Sequence, residues 1–272
     1  MPELPEVETI RRDLDLSVKG LVIREVIIKD PRVIRQDPKT FLSALCGRAI
    51  VSVQRRGKAL ILELNGGFLV VQPMMTGQLV ALAPGSKAAA GRDARVVFVL
   101  SKNQTLVYND QRLFGRLEVV GALNEHAHIR ALGPEPLEKG FSAGYLAAAL
   151  AQKRTAVKPL LMDHRLVAGI GNIYAAEALF LAGILPDRRA NSLQASEVKA
   201  LYRAIRAVLA RAVKARGTSV RNYRDGEGRE GGFQKALKVY GRAGQPCLQC
   251  GAVIQKSVQS QRSTFFCGKC QQ

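Results

Sequence analysis

The sequence has few acidic residues and no long apolar segment. It contains 22 Asp and Glu residues against 41 Lys and Arg, so that its formal net charge is +19 and its isoelectric point is near 10.2. No segment approaches the roughly 18 consecutive apolar residues that span a bilayer, and the acidic N-terminus lacks the basic and then apolar pattern of a secretory signal. We therefore expect a cytoplasmic protein that makes no membrane contact.

Histidine is also scarce. The three histidines, His126, His128 and His164, form no pattern with other residues that suggests a nucleophilic triad or a metal site. No group of Asp, Glu and His has the ligand spacing of an open catalytic metal site either. A metal-dependent nuclease is therefore disfavoured, whereas the large basic excess favours a polyanionic partner, most simply a nucleic acid backbone.

Cysteine is nearly absent until the end of the chain. Four of the five cysteines form two Cys-x2-Cys pairs, Cys247 with Cys250 and Cys267 with Cys270. This spacing predicts one tetrahedral Zn2+ site; two disulfides or a redox pair are the alternative, which a chain without an export signal makes less favoured. Four thiolates leave no position for a substrate, so the predicted zinc is structural. Cys46 follows a mostly apolar run, and we expect it to be a buried thiol.

The predicted secondary structure changes from strands to helices near residues 125–140. Before this boundary, short β-rich segments alternate with turn signals, which predicts an antiparallel sandwich. After it, Ala- and Leu-rich segments have apolar residues three and four apart, which predicts helices. The length suits two domains. The predicted strands are 22–28, 49–53, 59–64, 68–71, 96–100 and 105–108, and the predicted helices are 143–152, 157–163, 173–182 and 195–216.

The chain begins Met-Pro-Glu-Leu-Pro-Glu-Val-Glu, and an initiator methionine before a small residue such as proline is normally removed. Pro2 would then carry a free secondary amine. Since α-amino groups titrate near pH ~8, this amine can attack a sugar carbon and form an iminium. Glu3 is a candidate proton donor beside it. The alternative is an acidic helix start, in which Pro5 suits the first turn and Glu6 and Glu8 suit the positive end of the helix dipole.

Two glycine-containing segments are candidates for phosphate or lesion contacts. Lys58 follows Gly57 and two arginines at the mouth of a predicted strand, where the local potential is positive; a solvated hairpin tip is the alternative. Residues 167–174 form a glycine-rich turn that opens a helix, where backbone N–H groups favour a phosphate. No strand precedes this turn, so a helix-turn-helix that holds a DNA phosphate explains it better than a dinucleotide loop.

Six separated motifs follow one another over almost the whole chain. They are the N-terminal Pro-Glu-Leu-Pro-Glu-Val-Glu, Arg-Arg-Gly-Lys at 55–58, Met-Thr-Gly at 75–77, Asp-x-Arg-x-Phe-Gly at 110–115, residues 167–180 and the finger with Gln-Arg-Ser-Thr-Phe-Phe-Cys at 261–267. In this order the chain resembles the bacterial formamidopyrimidine-DNA glycosylases. The Glu-Leu-Pro start resembles that branch and not endonuclease VIII, whose start reads Glu-Gly-Pro.

The resemblance implies an α+β multidomain fold. An N-terminal antiparallel β-sandwich with flanking helices would occupy residues 1–130. A helix-two-turn-helix domain would occupy 131–240, with a lesion-capping loop at about 217–240, and a β-hairpin zinc finger would occupy 241–272. The implied activity is excision of oxidised purines, notably 8-oxoguanine and formamidopyrimidines, from double-stranded DNA, followed by β,δ-elimination at the abasic site. A monomer is the default expectation.

The resemblance also implies a role for individual residues. The Pro2 nitrogen would attack C1′ of the damaged nucleotide, and Glu3 would protonate the sugar or relay protons. Lys58 would contact the lesion and assist β-elimination, and Arg262 would hold the phosphate and assist δ-elimination. The positions that match DNA contacts of the family are a void-filling set, Met75, Arg112 and Phe114, and a further set, Lys153, Lys158, Asn172 and Tyr240.

Two short segments depart from the family pattern. Asp93-Ala94-Arg95 stands where many relatives have His-Asp-His, so that an acid replaces a histidine that contacts DNA, and we expect Arg95 to take over the contact. Gln-Pro-Met at 72–74 stands where many relatives have His-Leu-Gly, which affects the geometry around the void-filling methionine. Either departure is a candidate determinant of the opposite-base preference.

Two other functions remain open. A non-catalytic DNA-binding zinc protein would keep the DNA contacts and lack the chemistry; the intact Pro2, Glu3 and Lys58 argue against it, and an uncleaved Met1 would argue for it. An oxidised-pyrimidine glycosylase of the endonuclease VIII type is opposed by the Glu-Leu-Pro start and by Phe114.

Overall fold

The computed structural model describes residues 2–82, 91–219 and 230–272. The chain divides into two compact units, residues 1–130 with 216–231 and residues 131–215 with 232–272. Met1 lies outside the described residues, as do residues 220–229 of the predicted lesion-capping loop. The predicted domain limits at residues 130 and 240 stay predictions.

The first unit begins with a helix and continues mainly in strands. Its helices are α1 (Leu4–Val18), α2 (Pro38–Leu45) and α3 (Ala127–Arg130). Its strands are β1 (Ile23–Ile28), β2 (Ile50–Arg56), β3 (Ala59–Leu64), β4 (Gly67–Gln72), β5 (Gly77–Leu82), β6 (Ala94–Leu100), β7 (Thr105–Asp110) and β8 (Arg116–Val120). They form two four-stranded sheets, with the orders β1-β6-β7-β5 and β2-β3-β4-β8, in which neighbours pair antiparallel.

The apolar core of this unit lies between the two sheets. Val96, Phe98 and Leu100 of β6 face it because successive side chains of a strand point to opposite sides. Leu60 and Leu62 of β3 face it from the other sheet. The structure therefore confirms the predicted antiparallel sandwich.

The six predicted strands are all present, with ends that differ by three residues at most. Two further strands, β5 and β8, were not predicted, since such short segments are stabilised mainly by pairing with their neighbours. Helix α2 was also not predicted. Its start carries a local signal, because Asp37 accepts N–H groups of the first turn and Pro38 occupies the first helical position.

The prediction that Cys46 is a buried thiol was wrong, because this residue is exposed. Helix α2 buries Phe41 and Leu45, which lie four residues apart on one face. Cys46 is the C-cap residue of this helix, and its ψ of 133° is not helical, so the chain leaves the helix there and the thiol is not held on the buried face.

The second unit is helical and ends in a β-hairpin. The four predicted helices are present, with ends that differ by two residues at most. They are α4 (Ala143–Ala151), α5 (Val157–Leu161), α6 (Asn172–Ala182) and α7 (Ala195–Lys214), and the hairpin strands are β9 (Gln255–Gln259) and β10 (Arg262–Phe266). Every residue of α6 from Tyr174 to Phe180 is buried, so that this helix forms the centre of the unit. Among the helices that the structure describes, none is long and apolar enough to cross a bilayer.

Candidate active site and nucleic-acid interface

The N-terminal end of α1 carries Pro2 and two buried carboxylates. Pro2 is half-buried, whereas Glu3 and Glu6 are 4% and 2% exposed. The N–H group of Glu3 donates to Oε2 of Glu6 over 2.8 Å. Oε1 of Glu6 accepts the N–H group of Thr218 over 2.7 Å. The positive end of the helix dipole favours negative charge here, so the carboxylates lie where the fold stabilises them.

The turn that carries Lys58 is joined to the same helix. Gly57 and Lys58 connect β2 to β3, and Gly57 has the positive φ of +59° that such a turn requires. Arg55 donates to the carbonyl oxygen of Gly57 over 2.9 Å and to Oε2 of Glu8, on α1, over 3.2 Å. Pro2, Glu3 and Lys58 therefore belong to elements that are bonded to one another within the first unit.

The predicted void-filling residues form a cluster on the surface of the first unit. Met75 and Phe114 are 45% and 46% exposed, which is unusual for large apolar side chains. The Arg112 guanidinium links them, since its Nη1 lies 3.4 Å from the sulfur of Met75 and its Cζ lies 4.6 Å from the centre of the Phe114 ring. The structure thus brings these three predicted residues together.

Asp110 supports this cluster through buried hydrogen bonds. It was not predicted as a site residue. Its carboxylate is fully buried and accepts the hydroxyl of Thr76 and the N–H groups of Arg112 and Gly115, the latter over 2.7 Å. The segment that carries Met75 and the segment that carries Arg112 are therefore fixed by one side chain. The sequence offers a signal for it, since Asp110 opens the Asp-x-Arg-x-Phe-Gly motif.

Two glycines of these segments leave room for one tyrosine. A Cβ at Gly77 or at Gly115 would overlap the hydroxyl of Tyr108, which is fully buried. Burial, together with the negative charge of Asp110, raises the pKa of Tyr108 well above its usual range. The phenol is therefore neutral at physiological pH, and larger residues than glycine do not fit beside it.

Arg95 is mainly engaged inside the first unit. Its side chain is 18% exposed, its Nε donates to the carbonyl oxygen of Asp110 over 2.7 Å, and its Nη2 lies 3.6 Å from the carboxylate of Asp93. Arg95 thus supports the same turn as Asp110. Its predicted contact with DNA stays a prediction.

In the second unit, Lys158 and Asn172 join the helices to the finger hairpin. Lys158 is 1% exposed, and its ammonium group donates to Oδ1 of Asn172 over 2.6 Å and to Oγ1 of Thr264 over 2.7 Å. Asn172, the first residue of α6, donates to the carbonyl oxygen of Ser263 over 2.9 Å. The predicted phosphate contacts of both residues stay predictions, and the structure adds a role in holding the hairpin.

Arg262 lies at the edge of a cleft next to this pair. The hairpin turn at Ser260 and Gln261 has positive φ at both residues, the pattern of a two-residue hairpin loop, and Arg262 follows it, exposed at the start of β10. Lys158, Arg262 and neighbouring residues line a cleft of about 300 Å³. A cleft with two cationic side chains suits an anionic group.

Two further predicted residues are less closely connected to this cleft. Lys153 is exposed in the segment after α4. Tyr240 is half-buried, and its ring packs edge to face on Phe265 with the ring centres 5.0 Å apart. Both residues are named as DNA contacts only by the resemblance.

Glu177 anchors the segment that leads into the finger, and it was not among the predicted site residues. This α6 residue is 4% exposed, and its carboxylate accepts the N–H groups of Lys238, Val239 and Tyr240 over 2.8–2.9 Å. Burial raises the pKa of Glu177, although the three N–H groups act in the opposite direction. An acidic residue inside an otherwise apolar helix is the sequence signal that could have identified it.

The four cysteines of the finger converge as a metal site requires. Their sulfur atoms all lie within 4.8 Å of one another; Cys247 and Cys270 are 3.9 Å apart, and Cys250 and Cys267 are 3.5 Å apart. Zn–S bonds of about 2.3 Å in a tetrahedron place sulfur atoms about 3.8 Å apart. The residues therefore fit one structural Zn2+ ion, as predicted from the spacing.

Fold and site together define a nucleic-acid-binding protein with a four-cysteine zinc finger. Three family models match the chain: the formamidopyrimidine-DNA glycosylase N-terminal domain over residues 1–117, the H2TH domain of the same enzymes over 132–224, and a zinc finger found in FPG and IleRS over 244–272. The chain belongs to the formamidopyrimidine-DNA glycosylase family. This confirms the resemblance inferred from the six motifs.

Individual relatives cover the whole chain. The formamidopyrimidine-DNA glycosylases of Serratia proteamaculans and Desulfitobacterium hafniense are 44% and 46% identical over 100% of both chains. The crystal structure of MutM (Fpg) from Thermus thermophilus superimposes with a TM-score of 0.90 at 42% identity, covering 99% of this chain and 98% of that one. Lactococcus lactis Fpg in complex with DNA that contains an abasic site has a TM-score of 0.93 at 33% identity, covering 99% of each chain. The predicted fold class is thereby confirmed.

Proposed function

We propose that this protein excises oxidised purines from duplex DNA and then cleaves the strand at the abasic site, with the Pro2 nitrogen as the nucleophile. The observation that carries the proposal is the N-terminal end of α1, where Pro2 precedes the buried Glu3 and where the Lys58 turn is bonded to the same helix through Arg55. Family membership supports the substrate class.

The chemistry follows from these groups. The lone pair of the Pro2 nitrogen forms a bond to C1′ while the bond from C1′ to the base breaks. The base leaves with the electrons of that broken bond and takes up the proton that the Pro2 nitrogen releases. A proton from Glu3 opens the sugar at its ring oxygen and leaves an iminium on Pro2. Loss of a proton from C2′ then expels the 3′-phosphate, and the same sequence at C4′ expels the 5′-phosphate. Lys58 and Arg262 are the proposed assistants of these two eliminations.

Access to the base requires that the nucleotide leave the helix stack, at a cost of a few kcal/mol. The cluster of Met75, Arg112 and Phe114 is suited to offset this cost. Its exposed apolar side chains can replace lost stacking, and the guanidinium can pair with the orphaned base. Lys153, Lys158, Asn172, Tyr240 and Arg95 are the remaining proposed DNA contacts.

The partner in this proposal is double-stranded DNA. The related Fpg of Lactococcus lactis was crystallised with DNA that contains an abasic site or a Fapy-dG lesion. The net charge of +19 supports binding to the same polyanion. We further propose a monomer that acts in the cytoplasm, on the DNA of the nucleoid.

Borohydride trapping on a duplex with 8-oxoguanine opposite cytosine tests the proposal. The wild-type protein should form a covalent adduct with the DNA, because borohydride reduces the iminium to a stable amine. Pro2→Gly replaces the secondary amine with a primary amine and should trap more weakly. A form extended by one residue ahead of Pro2 should not trap. Tight, salt-sensitive binding without any adduct in the wild type would instead indicate a non-catalytic DNA-binding protein.

A parallel duplex with an oxidised pyrimidine separates the two enzyme classes. Faster excision of the oxidised purine is expected. The reverse order would assign the endonuclease VIII type of specificity.

A further inference from the structure

Residues 216–218, which follow α7 along the chain, are bonded to α1. Glu6 holds the N–H group of Thr218 with one carboxylate oxygen and the N–H group of Glu3 with the other, over 2.7 and 2.8 Å. Asp13, two turns further along α1, accepts a charged hydrogen bond from Arg216 over 2.6 Å. Both carboxylates are buried, at 2% and 7% exposure. We call these contacts of Glu6 and Asp13 with residues 216–218 the α1 clamp.

The backbone at Gly217 is shaped to fit this clamp. Its φ of +81° favours glycine, and a Cβ there would lie 2.7 Å from Oε1 of Glu6. Gly231 packs against the carbonyl group of Gly217 so closely that a Cβ would overlap it, and its N–H group donates to Oγ of Ser219 over 3.0 Å. The segments on either side of residues 220–229 thus meet at the clamp.

We propose that Glu6 is a positioning residue for the nucleophile. Its carboxylate is a rigid link between the peptide group that joins Pro2 to Glu3 and a segment more than 200 residues later in the chain, since both oxygens are occupied by N–H groups. The direction of the Pro2 nitrogen is therefore set by the clamp as well as by α1. This inference rests on the proposed role of Pro2.

The expected size of the effect follows from the geometry of bond formation. A displacement of about 1 Å between reacting atoms can reduce a rate by about 100-fold. Glu6→Ala removes both acceptors, whereas Glu6→Gln keeps one oxygen and loses the other. We expect the rate of iminium formation to fall by roughly 100-fold and by roughly 10-fold, respectively, on the same reasoning.

The experiment measures single-turnover borohydride trapping on a duplex with a preformed abasic site, at saturating protein, together with the dissociation constant for uncleavable DNA. A positioning role predicts slower trapping with a dissociation constant within about two-fold of the wild-type value, because the DNA contacts are unchanged. Equal losses in trapping and binding, or a lowered melting temperature that accounts for the loss, would overturn the proposal.

Gly217→Ala perturbs the clamp from its other side, and Gly47→Ala is a matched control. Gly47 has the same φ of +81°, but a Cβ there would meet no described atom within 4 Å. Gly217→Ala should slow trapping and Gly47→Ala should not. In the double variant Glu6→Gln/Gly217→Ala, the fold reduction of the trapping rate should be smaller than the product of the two separate reductions, since both changes disturb one contact. Fully independent effects would contradict the clamp.

Amide hydrogen exchange in the absence of DNA separates this inference from the proposed function. Glu6→Ala should speed exchange at Glu3 and Thr218, whatever the nucleophile is. Faster exchange with unchanged trapping would leave a clamp without a positioning role and would overturn the proposal. An absence of trapping in the wild type would contradict the role of Pro2 itself, a separate outcome.

Discussion

The β-sandwich and the zinc finger hold their functional residues by different forces. The sandwich has one continuous apolar core with contributions from α1 and from both sheets. The finger has a small cluster in which two zinc-ligating cysteines, Cys247 and Cys267, take the place of larger apolar side chains. A short hairpin with so few buried apolar side chains needs additional cross-links to be stable.

The two regions should therefore be destabilised by different changes. Pro2, Glu3 and the cluster of Met75, Arg112 and Phe114 depend on burial of apolar surface and on buried carboxylates such as Asp110. Arg262 depends on the metal centre, because it is part of the hairpin between the two cysteine pairs. We therefore expect that one region can be unfolded while the other stays folded.

Removal of zinc should have the largest effect. Structural zinc contributes about 10–16 kcal/mol to the folding of small fingers, so a chelator, or Cys250→Ser, should unfold the finger and abolish tight DNA binding. The unfolding transition of the sandwich should remain. Fluorescence anisotropy with labelled duplex measures the binding, and circular dichroism measures the sheets.

Cys46→Ser is the control, since this exposed thiol lies outside the finger. It should change neither zinc content nor DNA binding. Tight binding that survives complete loss of zinc would contradict the assigned dependence.

Truncation of the sandwich core comes next in size. Phe98→Ala should lower the free energy of unfolding by about 3–5 kcal/mol, because a fully buried ring is replaced by a cavity. Phe114→Ala removes the same atoms at a site that is 46% exposed, and it should cost about 0.5 kcal/mol or less while slowing base excision. Urea unfolding measures both values. Similar losses at the two positions would contradict the division between core and exposed cluster.

Neutralisation of Asp110 should have an intermediate effect on the free energy of unfolding. Asp110→Asn keeps one acceptor oxygen and leaves at least one buried donor unsatisfied, at a cost of about 1–3 kcal/mol. The void-filling cluster should lose its fixed position, so that excision slows and discrimination between opposite bases weakens.

Asp187→Asn is the matched control, because this carboxylate is exposed and belongs to the second unit. Excision kinetics on duplexes with each of the four opposite bases provide the measurement. Unchanged discrimination in Asp110→Asn would show that the cluster does not need this support.

The ion pairs of Glu8 with Arg11 and Arg12 on α1 and with Arg55 on β2 should contribute least to the free energy of unfolding. Burial acts to raise the pKa of Glu8, but hydrogen bonds from Arg11 and Arg12 and the charge of Arg55 outweigh it and lower that pKa below its ordinary 4.5. The stabilisation is therefore present above pH 4.5 and is lost as the pH falls through the lowered pKa. The side chains of Arg11 and Arg12 are 26% and 55% exposed, so that solvent screens much of the attraction, and we expect a contribution of about 1 kcal/mol.

The corresponding measurement is the free energy of unfolding of wild type and Glu8→Gln between about pH 7 and about pH 3, a range that brackets the titration of carboxylates. The difference should be largest near neutral pH and should vanish in acid. Glu25→Gln, at an exposed position of β1, is the control. A difference that grows toward low pH would contradict the sign of the pKa shift.

A structural feature could be predicted from the sequence where it depends on residues that are close together along the chain. The zinc site was predictable because four ligands with fixed spacing suffice to describe it. The four helices α4 to α7 and six of the strands were predictable from their periodicity, whereas β5 and β8 were not, since they are stabilised by pairing. The burial of Lys158 and the exposure of Cys46 went against what their residue types suggest.

The sequence by itself determined the Pro-Glu-Leu-Pro segment near the start, the four cysteines of the finger, the basic charge and the order of motifs that places the chain in its family. These are properties of residues that are adjacent or regularly spaced along the chain. Only the tertiary structure decided that Glu6 meets Thr218, 212 positions away, that Asp110 joins the segments of Met75 and Arg112, and that Glu177 anchors the finger. The physical reason is that a buried carboxylate needs donors from wherever the chain path brings them, and that path is a property of the whole fold.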